Sequence, residues 1–248
     1  MIRLLLTAVC FLLFVILTLP LLLFELILRC IDPEKSELQS QAIVRFLMKM
    51  ILWISGAEVD VRGLENIPEG EPVLFVPNHR SYFDFVITFT KIGKPFINIG
   101  KKELSAIPLI GLWVKLIGTL LIDRSSRKQG YQIIEQAAEK IRTGHSFLIY
   151  PEGTRNRGKI EEPLRFREGS LKISVWAGCK VLPFALINTR SIYEKHRPWI
   201  RPCRVLMIVG EPMDPKLLTE EEQKKFGAMV RDRIIGMIRT NGGEEENG

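Results

Sequence analysis

The first 28 residues are almost without polar interruption. From Leu4 to Leu28 only Thr7, Thr18, Pro20 and Glu25 break an apolar run, and about 20 apolar residues suffice to cross the hydrocarbon core of a bilayer. The run is therefore expected in lipid. It is too long for the apolar core of a cleaved signal peptide, and no small-residue cleavage site follows it. Pro20 removes a backbone donor and Glu25 is costly deep in hydrocarbon, so the segment either crosses once or enters and returns within one leaflet. Residues 39–54, QSQAIVRFLMKMILWI, then set Ile43, Phe46, Leu47, Met50, Ile51 and Ile54 at helical spacing, with Arg45 and Lys49 on the other side. This pattern reads as a helix at the membrane interface with Trp53 at headgroup depth, or as an amphipathic helix covering a core.

Beyond residue 56 the periodicity changes. Short β-rich runs occur at 58–61, 73–76, 147–150, 181–186 and 205–209, and helical patterns at 84–90, 108–116, 131–142, 170–177 and 220–239. Alternating strands and helices predict an α/β fold: a mixed, largely parallel sheet flanked by helices, preceded by an N-terminal hydrophobic, membrane-anchoring helical segment. The expected organisation is anchoring and interfacial helices over 1–55, one catalytic domain over 56–240, and a disordered acidic tail over 241–248.

Charge widens the choice of partners rather than narrowing it. A net charge of +7 and a pI near 9.3 suit phospholipid headgroups, phosphorylated small molecules, acidic carrier proteins and nucleic acid alike. Cys10, Cys30, Cys179 and Cys203 are scattered, with no C-x-x-C pair and no zinc spacing, so neither a disulfide framework nor a structural metal is expected.

The candidate chemistry lies at strand-to-helix junctions, where helix N-termini gather and ligands bind. In NHRSYFDF, residues 78–85, His79 precedes Asp84 by five residues. Helical neighbours are three or four apart, so the two side chains meet only if His79 lies on a turn and the helix starts near Ser81. A carboxylate on one ring nitrogen would then leave the other nitrogen to take a proton. Ser81 has no G-x-S-x-G elbow and suits an N-cap instead. A His-Asp pair without a protein nucleophile suggests that a hydroxyl of the substrate attacks; taken alone, the spacing equally suits a helix-entry histidine and a capping or surface carboxylate. A second stretch, FLIYPEGTRNRGK at 147–159, offers backbone amides, Thr154 and Arg155 around a flexible Gly153, a group suited to a phosphate monoester. Its G-x4-G-K spelling imitates a nucleotide loop, but Ile160 replaces the metal-holding hydroxyl. GTLLIDR at 118–124 delivers Asp123 and Arg124 at the end of an apolar run, and Lys101 and Lys102 precede it.

NHRSYFD, GTLLIDR, YPEGTR and VLPFAL, in that order, resemble the four sequence blocks of the glycerolipid acyltransferases, more narrowly the 1-acylglycerol-3-phosphate acyltransferases. GLENIP at 63–68 is similar to the lead-in of that family. The resemblance implies that His79 is the general base for a glycerol hydroxyl and that Asp84 orients it. Attack on an acyl thioester would release the thiol of coenzyme A or acyl carrier protein without an acyl-enzyme. It also implies that Arg124, Glu152, Gly153, Thr154 and Arg155 bind the acceptor, with the two arginines on its phosphate and Lys101 assisting. The implied acceptor is lysophosphatidate, acylated at sn-2 to phosphatidate. The implied setting is a phospholipid membrane, with the catalytic domain facing the cytoplasm, no metal or organic cofactor and no nucleic acid. Another lysophospholipid as acceptor, or a non-catalytic lipid-binding role, are the alternatives. Leu121, Tyr150 and Asn156 depart from the usual residues of the blocks, which bears on acyl-chain preference rather than on the chemistry.

Overall fold

A computed structural model describes residues 2–123 and 125–241. Of the predicted tail, 241–248, Asn241 instead closes the last helix, and 242–248 lie outside the described residues, as does Arg124. The N-terminal apolar run is not one helix but two: α1 (Ile2–Leu17) and α2 (Leu19–Ile31), broken at Thr18 with Pro20 in the first turn of α2, where its missing N–H costs nothing. No helix among the described residues is long and apolar enough to cross a membrane.

The following helix, α3 (Pro33–Ser55), is capped by Asp32, whose side chain accepts from Lys35 N at 3.0 Å. It ends at Gly56, which takes φ 69° and lies under the Arg3 guanidinium; Arg3 in turn donates to Ile54 O at 2.7 Å. The single apolar face expected for α3 divides in two. Val44, Leu47 and Ile51 are buried in the domain core, whereas Phe46, Met50 and Trp53 face outward. Glu25 is buried where α2 packs on α3, with Ser36 Oγ donating to its backbone carbonyl at 3.0 Å.

Seven strands form one sheet in the order β1-β7-β6-β2-β5-β3-β4. They are β1 (Glu58–Arg62), β2 (Val73–Pro77), β3 (Ile97–Lys101), β4 (Leu120–Ile122), β5 (Phe147–Leu148), β6 (Lys180–Ile187) and β7 (Arg204–Val209). From β6 through β4 all neighbours are parallel, β6 and β7 are antiparallel, and β1 runs parallel to β7. The sheet is mixed and largely parallel. β2 is buried at all five positions, as a central strand covered on both faces must be, while edge strand β1 alternates. Val73 and Phe75 join the core under α3, α4 (Phe83–Lys91) and α5 (Ile110–Leu116). Leu74 and Val76 join the opposite core under α6 (Arg127–Arg142), α7 (Glu168–Ala177) and α9 (Phe226–Asn241). Phe75 is fully buried between Phe96 and Phe184, at 5.7 and 5.6 Å between ring centres. Burial of such a side chain contributes about 1.5–3 kcal/mol.

Pro183 stands inside β6, where a missing N–H would normally be excluded. Its position is level with Gly210, one residue past the end of β7, so only the last rung of that ladder is lost, and Gly210 N still donates to Pro183 O at 2.8 Å. Strands β3 and β4 were not expected from the sequence, and the expected helix over 220–239 is two, α8 (Glu220–Lys224) and α9, separated at Lys225.

Candidate active site

Because β6, β2, β5, β3 and β4 are parallel, their C-terminal ends open on one edge of the sheet. The turn after β2 begins with Asn78, whose side chain continues the β2–β6 pairing: Nδ2 donates to Leu186 O at 3.0 Å and Oδ1 accepts from Leu186 N at 2.7 Å. His79 follows on this turn, and α4 starts at Phe83. The reversal brings His79 Nδ1 to 2.8 Å from Asp84 Oδ2. The same oxygen accepts from Arg80 N at 2.6 Å and Ser81 N at 2.7 Å, so one carboxylate caps the helix and holds the ring. Asp84 is wholly buried and His79 keeps 20% of its side chain exposed. An ionised carboxylate only accepts, so Nδ1 carries the hydrogen and Nε2 is left with the lone pair.

Tyr150 packs against the imidazole, with ring centres 4.2 Å apart, and its hydroxyl lies 3.2 Å from Thr88 Oγ1. Thr88 in turn donates to Asp84 O at 2.9 Å. Burial and the nearby Asp84 charge push the Tyr150 phenol well above its ordinary range, so it stays neutral. Ser81 Oγ accepts from Phe83 N at 3.0 Å and donates to Glu194 Oε2 at 2.7 Å. With both roles filled, this hydroxyl is held as part of the helix entry.

The turn after β5 carries Glu152, Gly153, Thr154 and Arg155. Glu152 is buried, and its two oxygens accept from His79 N at 2.7 Å and Leu164 N at 2.9 Å. Burial raises its pKa above the ordinary carboxylate value, and the two N–H donors offset this in part. Gly153 takes φ 69°, a left-handed conformation that strains any other residue, and a Cβ there would stand 2.7 Å from Arg167 Nε, so the Arg167 side chain would have to move aside. Asn156 N donates to His79 O at 2.7 Å, a second tie between the turns. Thr154 is exposed. Arg155 lies over Tyr82, with Cζ 3.5 Å from the ring centre, and 3.8 Å from Glu194; its Nη1 is buried without a hydrogen-bond acceptor.

Lys101 ends β3, two places along the sheet from β2, and is exposed. Its neighbour Lys102 pairs with Asp123, which that bond and Ser125 pull down to about 2. Sequence reasoning did not single out the segment after β6. From there Glu194 joins Ser81 Oγ, Tyr82 N and Arg155, and Arg190 and Arg197 line the same hollow as Arg80 and Arg155. The only available signal was the charge-rich string TRSIYEKHR, which starts at Thr189, two residues beyond VLPFAL.

Residues 58–187 match the family model described as Acyltransferase. The chain is 30% identical over 198 residues to the 1-acyl-sn-glycerol-3-phosphate acyltransferase of Borreliella burgdorferi, a match covering 80% of this chain and 78% of that protein. It is 27% identical over 199 residues to the protein of the same name from Saccharomyces cerevisiae, covering 79% of this chain and 64% of that one. The crystal structure of the 1-acyl-sn-glycerophosphate (LPA) acyltransferase PlsC from Thermotoga maritima superposes with a TM-score of 0.77 at 26% identity, over 97% of this chain and 96% of the other.

Proposed function

Because the chain belongs to the acyltransferase family, we propose that it moves a fatty acyl group from a thioester donor to the sn-2 hydroxyl of lysophosphatidate, giving phosphatidate at a membrane surface. The observation that carries the reading is the buried Asp84 carboxylate 2.8 Å from His79 Nδ1, with the ring on the open edge of the sheet. The names of the relatives support the acceptor.

In this mechanism His79 Nε2 takes the proton of the acceptor hydroxyl as its oxygen attacks the thioester carbonyl carbon. Asp84 stabilises the imidazolium that forms. The tetrahedral intermediate collapses with breakage of the carbon–sulfur bond, and the imidazolium returns the proton to the leaving thiolate. The products are ester and free thiol, and no protein nucleophile takes part. Arg155, with an unsatisfied buried N–H, receives the acceptor phosphate, and Lys101 adds positive charge to the same edge; Arg124 is assigned to the phosphate from its motif alone. Glu152 and Gly153 act by shaping the turn that holds His79 and Arg155, and Thr154 stands exposed beside them. A cavity of about 230 Å³ lined by Val44, Leu47, Phe85, Leu104, Trp113 and Ile117 meets α4 one residue after Asp84 and suits an acyl chain.

The membrane setting rests on the outer surface of the first three helices. Trp53 is 82% and Phe46 63% exposed, and α1 and α2 also leave leucine, isoleucine and phenylalanine side chains uncovered. So much exposed apolar area marks a lipid-binding face. Phe46→Gln together with Trp53→Gln should shift the chain from phospholipid vesicles to the supernatant on sedimentation by about tenfold; unchanged partitioning would refute this role.

The catalytic assignment is tested by His79→Ala with acyl-thioester and lysophosphatidate. A fall in kcat of about 10³-fold or more is expected for loss of the base, and near-normal turnover would sink the mechanism.

A further inference from the structure

The apolar cavity beside α4 has one discordant wall. Its volume is about 230 Å³, and aliphatic and aromatic side chains line it except where β3 and the residue before β4 contribute Asn98 and Thr119. Ile99 pairs with Leu120 in the parallel ladder, so Asn98 and Thr119, one residue earlier on each segment, are neighbours as well. Thr119 turns its methyl towards Gly100: a Cβ on that glycine would stand 3.1 Å from Thr119 Cγ2 and 3.2 Å from Leu104 Cδ1. The Asn98 carboxamide is the larger polar group of this wall.

The amide is not satisfied as other interior amides of the protein are. Asn78 exchanges two hydrogen bonds with Leu186, at 3.0 and 2.7 Å, and Asn156 donates to Glu162 O and accepts from Gly158 N, each at 2.8 Å. Asn98 Oδ1, by contrast, is buried with no hydrogen-bond partner among the described residues. A polar atom left open in this way destabilises the fold, and asparagine is also a poor strand former. A branched aliphatic residue would suit both the strand and the cavity better. The unfilled bond points to a polar group that is brought into the cavity from outside.

The depth of Asn98 shows which part of a ligand that group belongs to. Asn98 and Phe75 both pair with Leu148 of β5, so Asn98 is level with Phe75, four residues before His79. Four extended residues span about 13 Å, and two strand spacings add about 10 Å across the sheet. The amide therefore lies far from the reacting carbonyl, beside the middle or distal part of a chain whose thioester is at His79. It touches no reacting atom. A resident water is a poor substitute, because a stable buried water needs about three polar partners and this wall offers Asn98 and Thr119.

We propose that Asn98 selects acyl chains by their chemistry: the cavity takes a fatty acyl group that carries a hydroxyl in the middle or distal part of its chain, and this hydroxyl bonds to the Asn98 carboxamide. A hydroxyl both donates and accepts, so it serves the amide in either of its two orientations. An unsubstituted chain fills the same space and shuts the amide off from every partner. The inference rests on the acyl-transfer reading above and on this cavity as the seat of the acyl chain.

The test uses the full chain in mixed phospholipid micelles with lysophosphatidate and donors that differ only in the chain. These are stearoyl, oleoyl and a series of hydroxystearoyl thioesters whose hydroxyl moves stepwise from the middle of the chain to its end, each supplied on coenzyme A and on acyl carrier protein. For the parent, kcat/KM should be about tenfold higher with the best-placed hydroxystearoyl donor than with stearoyl, as one hydrogen bond to an otherwise unpaired group supplies. Asn98→Leu should erase that preference, lowering the hydroxystearoyl value and raising the stearoyl one. Its urea midpoint should equal or exceed the parent's, since an unpaired amide has been removed. Equal use of stearoyl and every hydroxystearoyl donor by the parent, a preference for oleoyl over all of them, or a preference that survives in Asn98→Leu would each overturn the proposal. So would a large fall in the urea midpoint of the variant, which would give the amide a structural role instead. Tighter binding of free hydroxystearate than of stearate, measured by calorimetry and lost in Asn98→Leu, without turnover of lysophosphatidate would uphold the cavity and refute the acceptor. Turnover of lysophosphatidate with no discrimination between the chains would do the reverse.

Discussion

The turns after β2 and β5 lie side by side on paired strands, and each buries a carboxylate that accepts backbone N–H groups. Their arrangements differ in one respect. Asp84 gathers His79 Nδ1, Arg80 N and Ser81 N on a single oxygen and leaves Oδ1 buried with no partner. Glu152 divides its oxygens between His79 N and Leu164 N, and so ties two chain segments together. The first carboxylate is concentrated on a ring that gains and loses a proton, whereas the second immobilises the backbone beneath that ring. Charged motif residues of similar burial therefore perform different work, and the hydrogen-bond partners distinguish them.

Substitutions can break this comparison. After His79→Ala, the largest loss is expected for Asp84→Asn. The amide retains the shape but no longer fixes the tautomer or stabilises the imidazolium, so kcat should fall about 10²–10³-fold with KM for lysophosphatidate little changed. Steady-state kinetics on both substrates check this, and a variant within a few-fold of the parent would remove Asp84 from the chemistry. Arg155→Gln should act on binding, raising KM for lysophosphatidate about tenfold or more with a smaller effect on kcat. An acceptor without a phosphate monoester should not show that rise.

Glu152→Gln should have the smallest effect on turnover, a few-fold in kcat. Its amide nitrogen cannot accept, so one of the two N–H donors is left unpaired, at about 1–3 kcal/mol of stability. The pH dependence follows from the raised pKa of Glu152. A carboxyl whose pKa is higher folded than unfolded contributes most to stability below its unfolded value, and this contribution is lost as pH rises through the folded value. Denaturation in urea across the mildly acidic range should therefore show a falling component in the parent that is missing from Glu152→Gln. If the variant instead lost as much kcat as Asp84→Asn, Glu152 would touch the reacting atoms and the contrast between the turns would collapse.

Legibility in the sequence varied along the chain for physical reasons. Strands such as β2 and β6 announce themselves because burial on both faces demands unbroken apolar residues. β3 was hidden by Asn98 and Gly100, and β4 by its three-residue length; both exist because the neighbouring strand supplies the ladder. Helix α3 showed its apolar positions but not their division between core and exterior, since periodicity records that a face is apolar and not what covers it. At the site, the five-residue spacing of His79 and Asp84 permitted contact only through a turn, and the bonds of Arg80 N and Ser81 N to Asp84 supply that turn.

By itself the sequence determined the alternation of strands and helices, the apolar N-terminus and the order of the four motif blocks, because each is written in residues close along the chain. The tertiary structure alone decided that Arg155 lies on Tyr82 beside Glu194, that Arg80 and Arg190 share one hollow, and that Lys101 stands two strands away. Those neighbours are set by the order of strands in the sheet and by loops converging from distant segments, and no local spacing encodes either.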